Sequence, residues 1–303
     1  MSILVMRKLI LSLLIVSVSS LAQVNLPPVN LGATSFQDGR AGPGTLVQET
    51  FSVYSAEQFT NNQGDNLAVD SHLYSYAATT MIAHFTEYKI LGGYYGFEAL
   101  LPVVKLDVDL FDHNKKSALG DLIVSPFMLQ WNESKLFGLP LYHRVNFVFN
   151  LPTGSYGENK PLNIGSNALS FNPYYALTLQ VTSRIDTSIR MHYLWNDKND
   201  SPVTSSAADS TQAGQAFHIN YASSYQVSDN IRLGIAGYYL KQLTQDRENG
   251  IRQMHSKESV FAIGLGFHYS KKGFTVAFNA YKESAAKNRP EGDKFNLRIA
   301  QVF

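Results

Sequence analysis

Twelve segments of the sequence carry apolar side chains at every second position, and the connections between them alternate between short and long. A period of two marks a β-strand with two chemically different faces. The segments are 46–58, 71–87, 90–101, 120–131, 141–151, 171–182, 186–195, 215–227, 230–243, 258–269, 274–283 and 295–303. Most reach the roughly nine to eleven residues a tilted strand needs to cross hydrocarbon, whereas soluble strands usually run to five or six. The short links are read at 88–89, 132–140, 183–185, 228–229 and 270–273, and the long polar ones at 60–70, 102–119, 152–170, 196–214, 244–257 and 284–294. Short periplasmic turns opposite long external loops are the pattern of a closed antiparallel transmembrane β-barrel, here of about 12 strands. A soluble β-sandwich has no reason to alternate its loops. An even strand number puts both ends of the barrel on the periplasmic side.

The N-terminal stretch MRKLILSLLIVSVSSLA sets Arg7 and Lys8 before an apolar run and a small-x-small site at Ser20-Leu21-Ala22. It reads as a secretory leader over 1–22, too short for a comfortable membrane helix. Residues 23–45 then form a periplasmic or lumenal extension, and 46–303 the barrel. Without the leader, 23 of the 25 basic side chains remain against 24 acidic ones, so no basic field for nucleic acid survives. No cysteine is present, which leaves neither disulfides nor thiolate metal ligands. Charged residues make up 16% of the chain, below the roughly 25% of soluble domains. After Ala22 no apolar run reaches 18 residues, so helical membrane spans are excluded.

The final segment, FNLRIAQVF, sets Phe295, Leu297, Ile299 and Phe303 against Asn296, Arg298 and Ala300. A free edge of this kind aggregates in water, and pairing the last strand with the first abolishes it. A terminal Phe after alternating apolar residues is also similar to the signal read by the outer-membrane assembly machinery, although Gln301 departs from that pattern. Phe303 is therefore assigned to assembly and to the lipid interface.

Parity assigns the faces. Arg144, Arg190, Arg232 and Arg298 share one face with His192, His218, Tyr94 and Tyr238, while the opposite positions are apolar. An arginine facing lipid at mid-depth costs about 2 to 4 kcal/mol, so the arginine face is the lumen. Glu98 is the clearest counter-charge on that face. Lys241 has outward parity but lies near the external end, where its amine reaches the headgroups. Two readings of the lumen stand: a self-satisfied polar network filling a narrow barrel, or a cationic constriction that orients anionic or aromatic solutes.

The stretches VNLGATSFQDG, GDLIVSPFMLQW, HRVNFVFNLPTG, SFNPYYALTLQVT, GQAFHINYASSYQV, GIAGYYLKQLTQDRENG and NRPEG resemble the outer-membrane family named for the MetA pathway of phenol degradation. The resemblance covers nearly all of the chain after the leader. It implies a channel for small hydrophobic or aromatic compounds in the outer membrane of a Gram-negative bacterium, with that solute, membrane lipid and the assembly machinery as partners. It implies no catalytic residue and no cofactor.

Two other classes are weighed. An outer-membrane lipid hydrolase needs a nucleophile and a base, yet the sequence holds neither a GxSxG elbow nor an HExxH pair. A structural or adhesive barrel would use its external loops, of which 196–214 is polar and rich in small residues. Asp197 and Asp200 in that loop lack the ligand spacing of a calcium loop, so no metal site is assigned.

Overall fold

The computed structural model describes residue 24 and residues 26–67, 71–109 and 113–303, and the leader read at 1–22 lies outside them. Seventeen strands follow in chain order: β1 (Gly44–Phe59), β2 (His72–Ile90), β3 (Gly93–Asp109), β4 (His113–Leu119), β5 (Leu122–Leu136), β6 (Leu139–Leu151), β7 (Ser170–Phe171), β8 (Tyr174–Gln180), β9 (Ile185–Asn196), β10 (Thr211–Gln212), β11 (Ala216–Ser228), β12 (Ile231–Gln242), β13 (Arg247–Glu248), β14 (Ile251–Arg252), β15 (Ser259–Lys271), β16 (Phe274–Lys287) and β17 (Pro290–Val302). β7 and β8 are one spanning strand interrupted at Asn172-Pro173, where proline has no N–H for the ladder. β4 folds back along β3, and β10, β13 and β14 form a small separate sheet in the long loops. The remaining pairings make a closed 12-strand antiparallel barrel. Closure is the antiparallel pairing of β1 with β17, from Leu46 opposite Val302 to Phe59 opposite Pro290. The backbones of Thr45 and Phe303 exchange hydrogen bonds at 3.1 and 2.9 Å below it.

The bilayer dictates the faces. Outward positions such as Val47, Phe51, Ile82, Phe97, Leu233, Ile263, Phe278, Phe295 and Ile299 are exposed, while inward Asn146, Arg190, Asn220, Asn279 and Asn296 are buried. That inversion of the usual rule is stable only where lipid is the solvent.

Several connections differ from the sequence reading. The link placed at 284–294 is strand to Lys287 and again from Pro290, leaving a turn of two residues. There inward Glu283 and Ala286 are buried while outward Ser284 and Lys287 are exposed and polar, so the apolar period fades although both strands continue. The same holds for 102–119, most of which belongs to β3 and β4. The turns read at 88–89 and 132–140 are Leu91-Gly92 and Phe137-Gly138, with φ of +50° and +79°, and +52° and +81°. Positive φ at both positions is the hairpin turn matched to strand twist, which glycine adopts without strain. Apolar Leu91 and Phe137 at its first position hid it from a search for polar turn residues.

Candidate functional site

The chain from Leu26 to Ala41 runs inside the barrel, from the end that carries the long connections to the opposite end, where β1 begins. It has no strand period, and its backbone polar groups are met by side chains of the wall. At the first end the Leu26 N–H donates to Glu258 Oε1 at 3.2 Å. Lys294 Nζ donates to the Leu31 carbonyl at 2.6 Å. In mid-barrel the Gly32 N–H donates to Asn220 Oδ1 at 2.8 Å, and its carbonyl accepts from Asn296 Nδ2 at 2.7 Å and from the Tyr281 hydroxyl at 3.0 Å. Gly32 has φ +68°, and a Cβ there would lie 2.8 Å from the Tyr281 ring and 2.9 Å from that of Tyr238. Only glycine fits both the conformation and the space. Lower down, the Gly39 N–H donates to Thr178 Oγ1 at 2.8 Å, and Gln130 Nε2 donates to the Gly39 carbonyl at 2.8 Å. Asn132 Nδ2 holds the Ala41 carbonyl at 2.6 Å. Leu31 and Phe36 add an apolar core with Ala222, Tyr238, Leu240 and Val260.

All four strand arginines face the lumen, and each is engaged. Arg190 donates through Nε to Asp38 Oδ2 at 2.7 Å and through Nη2 to Asp38 Oδ1, with its guanidinium 4.1 Å from the Tyr174 ring centroid. Arg144 donates to the Asp38 carbonyl at 3.0 Å, to Gln130 Oε1 at 3.1 Å and to the Tyr174 hydroxyl at 3.2 Å. Arg232 pairs with Asp186 at 2.8 Å, a carboxylate that also accepts from Gln37 and Arg40 of the lumen segment. Arg298 donates to Ser35 Oγ at 2.8 Å.

The counter-charge is therefore not centred on Glu98, which instead accepts from Asn146 Nδ2 at 2.7 Å. Asp38 and Asp186 take that role. Asp186 was findable, since it has the parity of Arg190 on β9. Asp38 was not, because strand parity does not extend to an irregular segment. His192 and His218 are buried side by side in the wall, their ring centroids 4.1 Å apart. Tyr238 is buried and donates to Glu283 Oε1 at 2.8 Å. Tyr94 lies under Lys89, 4.5 Å from the amine to the ring centroid. Phe303 is exposed beyond the closing pair.

Above the barrel, Asp246 is fully buried among the loops. Its Oδ1 accepts from the Gly214 N–H at 2.8 Å and from Gln242 Nε2 at 2.6 Å. Burial pushes this carboxyl up to about 7 against the pull of those hydrogen bonds. Among the described residues no group of three or more histidine, cysteine or acidic side chains is placed to hold a metal ion.

Residues 56–299 match the family described as "Putative MetA-pathway of phenol degradation". The COG4313 outer membrane channel from Pseudomonas putida F1 has the same fold, with a TM-score of 0.77 at 17% identity over 91% of this chain and 100% of the other. The β domain of the autotransporter BrkA from Bordetella follows at a TM-score of 0.50 and 10% identity, over 86% and 100%. At these identities the likeness is one of fold, that of a closed outer-membrane β-barrel. No curated protein sequence matches.

Proposed function

Because the chain belongs to the MetA-pathway phenol-degradation family, we propose that it is an outer-membrane channel for small hydrophobic or aromatic compounds, closed at rest by its own residues 26–41. The observation that carries this reading is the way the segment is held. It is not paired into the sheet, and its backbone is gripped by side chains at Gly32, Gly39 and Ala41. Such contacts can be exchanged for water one by one without opening the barrel wall. A lumen vacated by the segment presents Arg144, Arg190 and Arg298 together with the rings of Tyr174, Tyr238 and Tyr281. Cations and tyrosines at that spacing suit an aromatic ring or a carboxylate.

A second reading has its own observation: three of the four arginines bond directly to the segment, which is what a permanent filling would need. Planar-bilayer recording separates the two. The channel reading expects rare openings of the native protein and long-lived conductance steps from a variant lacking residues 27–41, each preparation first shown to be folded by its heat-modifiable gel mobility. Folded protein that never conducts in either form refutes it and leaves a filled, structural barrel.

A further inference from the structure

We propose that Lys241, Lys257 and Lys287, grouped around Ser259 on the outer face of the external rim, bind the phosphate of a lipid headgroup in the outer leaflet, a phosphorylated glycolipid of the lipid A class. The register brings them together. Ser259 on β15 lies opposite Lys241 of β12 on one side and opposite Lys287 of β16 on the other. Neighbouring strands are about 5 Å apart, so the two lysine backbones stand about 10 Å apart with one small hydroxyl side chain between them. Lys257 precedes Ser259 by two residues, and its backbone is tied to the tip of the β16–β17 hairpin: Asn288 Nδ2 donates to the Lys257 carbonyl at 3.0 Å and to that of His255 at 2.6 Å. All three lysines are exposed.

Depth selects a lipid. Outward positions on β15 run from Tyr269 through Phe267, Leu265, Ile263 and Phe261 to Ser259. That stretch, at about 3.3 Å per residue and tilted by about 40°, climbs about 25 Å, the height of the apolar band of an outer-membrane barrel. Ser259 therefore marks the outer edge of the hydrocarbon, where acyl chains end and headgroup phosphates begin. Below it Phe261, Ile263 and Leu265 are 37%, 49% and 70% exposed, a wall for the acyl chains of the same lipid. An inorganic phosphate would gain the charge of the lysines but nothing from that wall.

Charge selects the headgroup. Among the described residues none of the three lysines takes part in an ion pair or a side-chain hydrogen bond, whereas Lys115, Lys198 and Lys282 are paired with Asp107, Asp200 and Asp293. The acids around the cluster are committed elsewhere. Asp293 is held by Lys282 at 3.6 Å, and Asp65, beside the Gly64 that the Lys287 stem passes, accepts from Asn61 at 3.2 Å. Three like charges with no counter-ion repel one another, and a phosphate relieves that repulsion while lysine supplies it with point charges on long stems. The far wall has no such patch, since β6, β7, β8, β9 and β11 contain no lysine and their arginines face the lumen. The site is independent of the channel reading, because a filled barrel would present it equally well.

The test is native mass spectrometry of the full-length folded barrel in detergent, titrated with bisphosphorylated lipid A, with the same lipid stripped of its phosphates, and with inorganic phosphate. The expected result is one retained lipid A per barrel, binding at least tenfold more weakly without its phosphates and not displaced by an equal concentration of inorganic phosphate. Lys241→Gln, Lys257→Gln and Lys287→Gln combined should weaken lipid A at least tenfold, while Lys105→Gln, exposed on the outer face of β3, changes it less than twofold. Equal retention of the phosphorylated and stripped lipids overturns the proposal, as does unchanged retention in the folded triple variant or an equal loss in Lys105→Gln. Displacement by inorganic phosphate at equal concentration assigns the lysines to free phosphate and overturns the lipid. If the triple variant does not fold, the three single variants decide, and retention unchanged in all of them refutes the site.

Discussion

Replacing Asp38 by Asn tests what holds the lumen segment in place. The substitution keeps the side-chain shape and removes one negative charge from a cluster in which Asp38 takes two hydrogen bonds from Arg190 and lies 3.8 Å from Nη2 of Arg144. An asparagine offers one acceptor oxygen, so one charge-assisted bond of about 1.5 to 3 kcal/mol is lost. Two guanidinium groups then face each other with less compensation. Breaking a buried ion pair from one side costs about 3 to 5 kcal/mol, and because Asn retains one bond the lower figure, about 3 kcal/mol, applies to docking of the segment. At about 1.4 kcal/mol per decade, the undocked population rises roughly a hundredfold. Trypsin cleavage at Arg40 in purified folded protein reads that population directly, and channel open probability reads its consequence. Adding Arg190→Gln to Asp38→Asn should recover part of the docking, because the second change removes the stranded cation. Cleavage at Arg40 that stays within threefold of the native rate in folded Asp38→Asn protein would refute the reasoning, and the segment would then be held by its apolar and backbone contacts.

Gly32→Val should undock the segment without touching any charge, since its Cβ would collide with the Tyr238 and Tyr281 rings at a positive φ; unchanged Arg40 cleavage in the folded variant speaks against Gly32 as the anchor. In the variant lacking residues 27–41, Arg190→Glu should move ion selectivity toward cations, and Arg190→Gln should move it less in the same direction, as measured by reversal potentials. The Asp246 carboxyl, raised to about 7 in the fold, binds its proton more tightly than in the unfolded chain, so its loop is most stable at low pH and loses stability as pH rises from about 4 to 7. Proteolysis within 243–258 should accelerate across that window, and Asp246→Asn should flatten the dependence. Deleting Phe303 should sharply lower the membrane yield of heat-modifiable barrel, with wild-type yield showing the terminal aromatic to be dispensable.

The limits of parity are visible at particular residues. Arg144, Arg190 and Arg232 fall inside because an arginine on the lipid side is excluded locally, strand by strand, whatever the rest of the chain does. The turn at 288–289 was missed for the complementary reason: beyond the hydrocarbon no lipid contrast imposes a period, although β16 and β17 run on as strands, paired there with β15 and β1. His192 and His218 were both assigned inward, but their stacking depends on the register between β9 and β11, which parity leaves free by any even number of residues.

The sequence by itself thus determined the barrel and the inward placing of its strand arginines, since these follow from a period of two imposed by the bilayer on each strand. The tertiary structure alone decided which acids meet those arginines and where residues 26–41 lie. Asp38 and Arg190 are 152 positions apart, and the segment's path is set by complementarity to a wall assembled from twelve distant strands. Nothing local encodes that wall; it exists only once β1 has closed on β17.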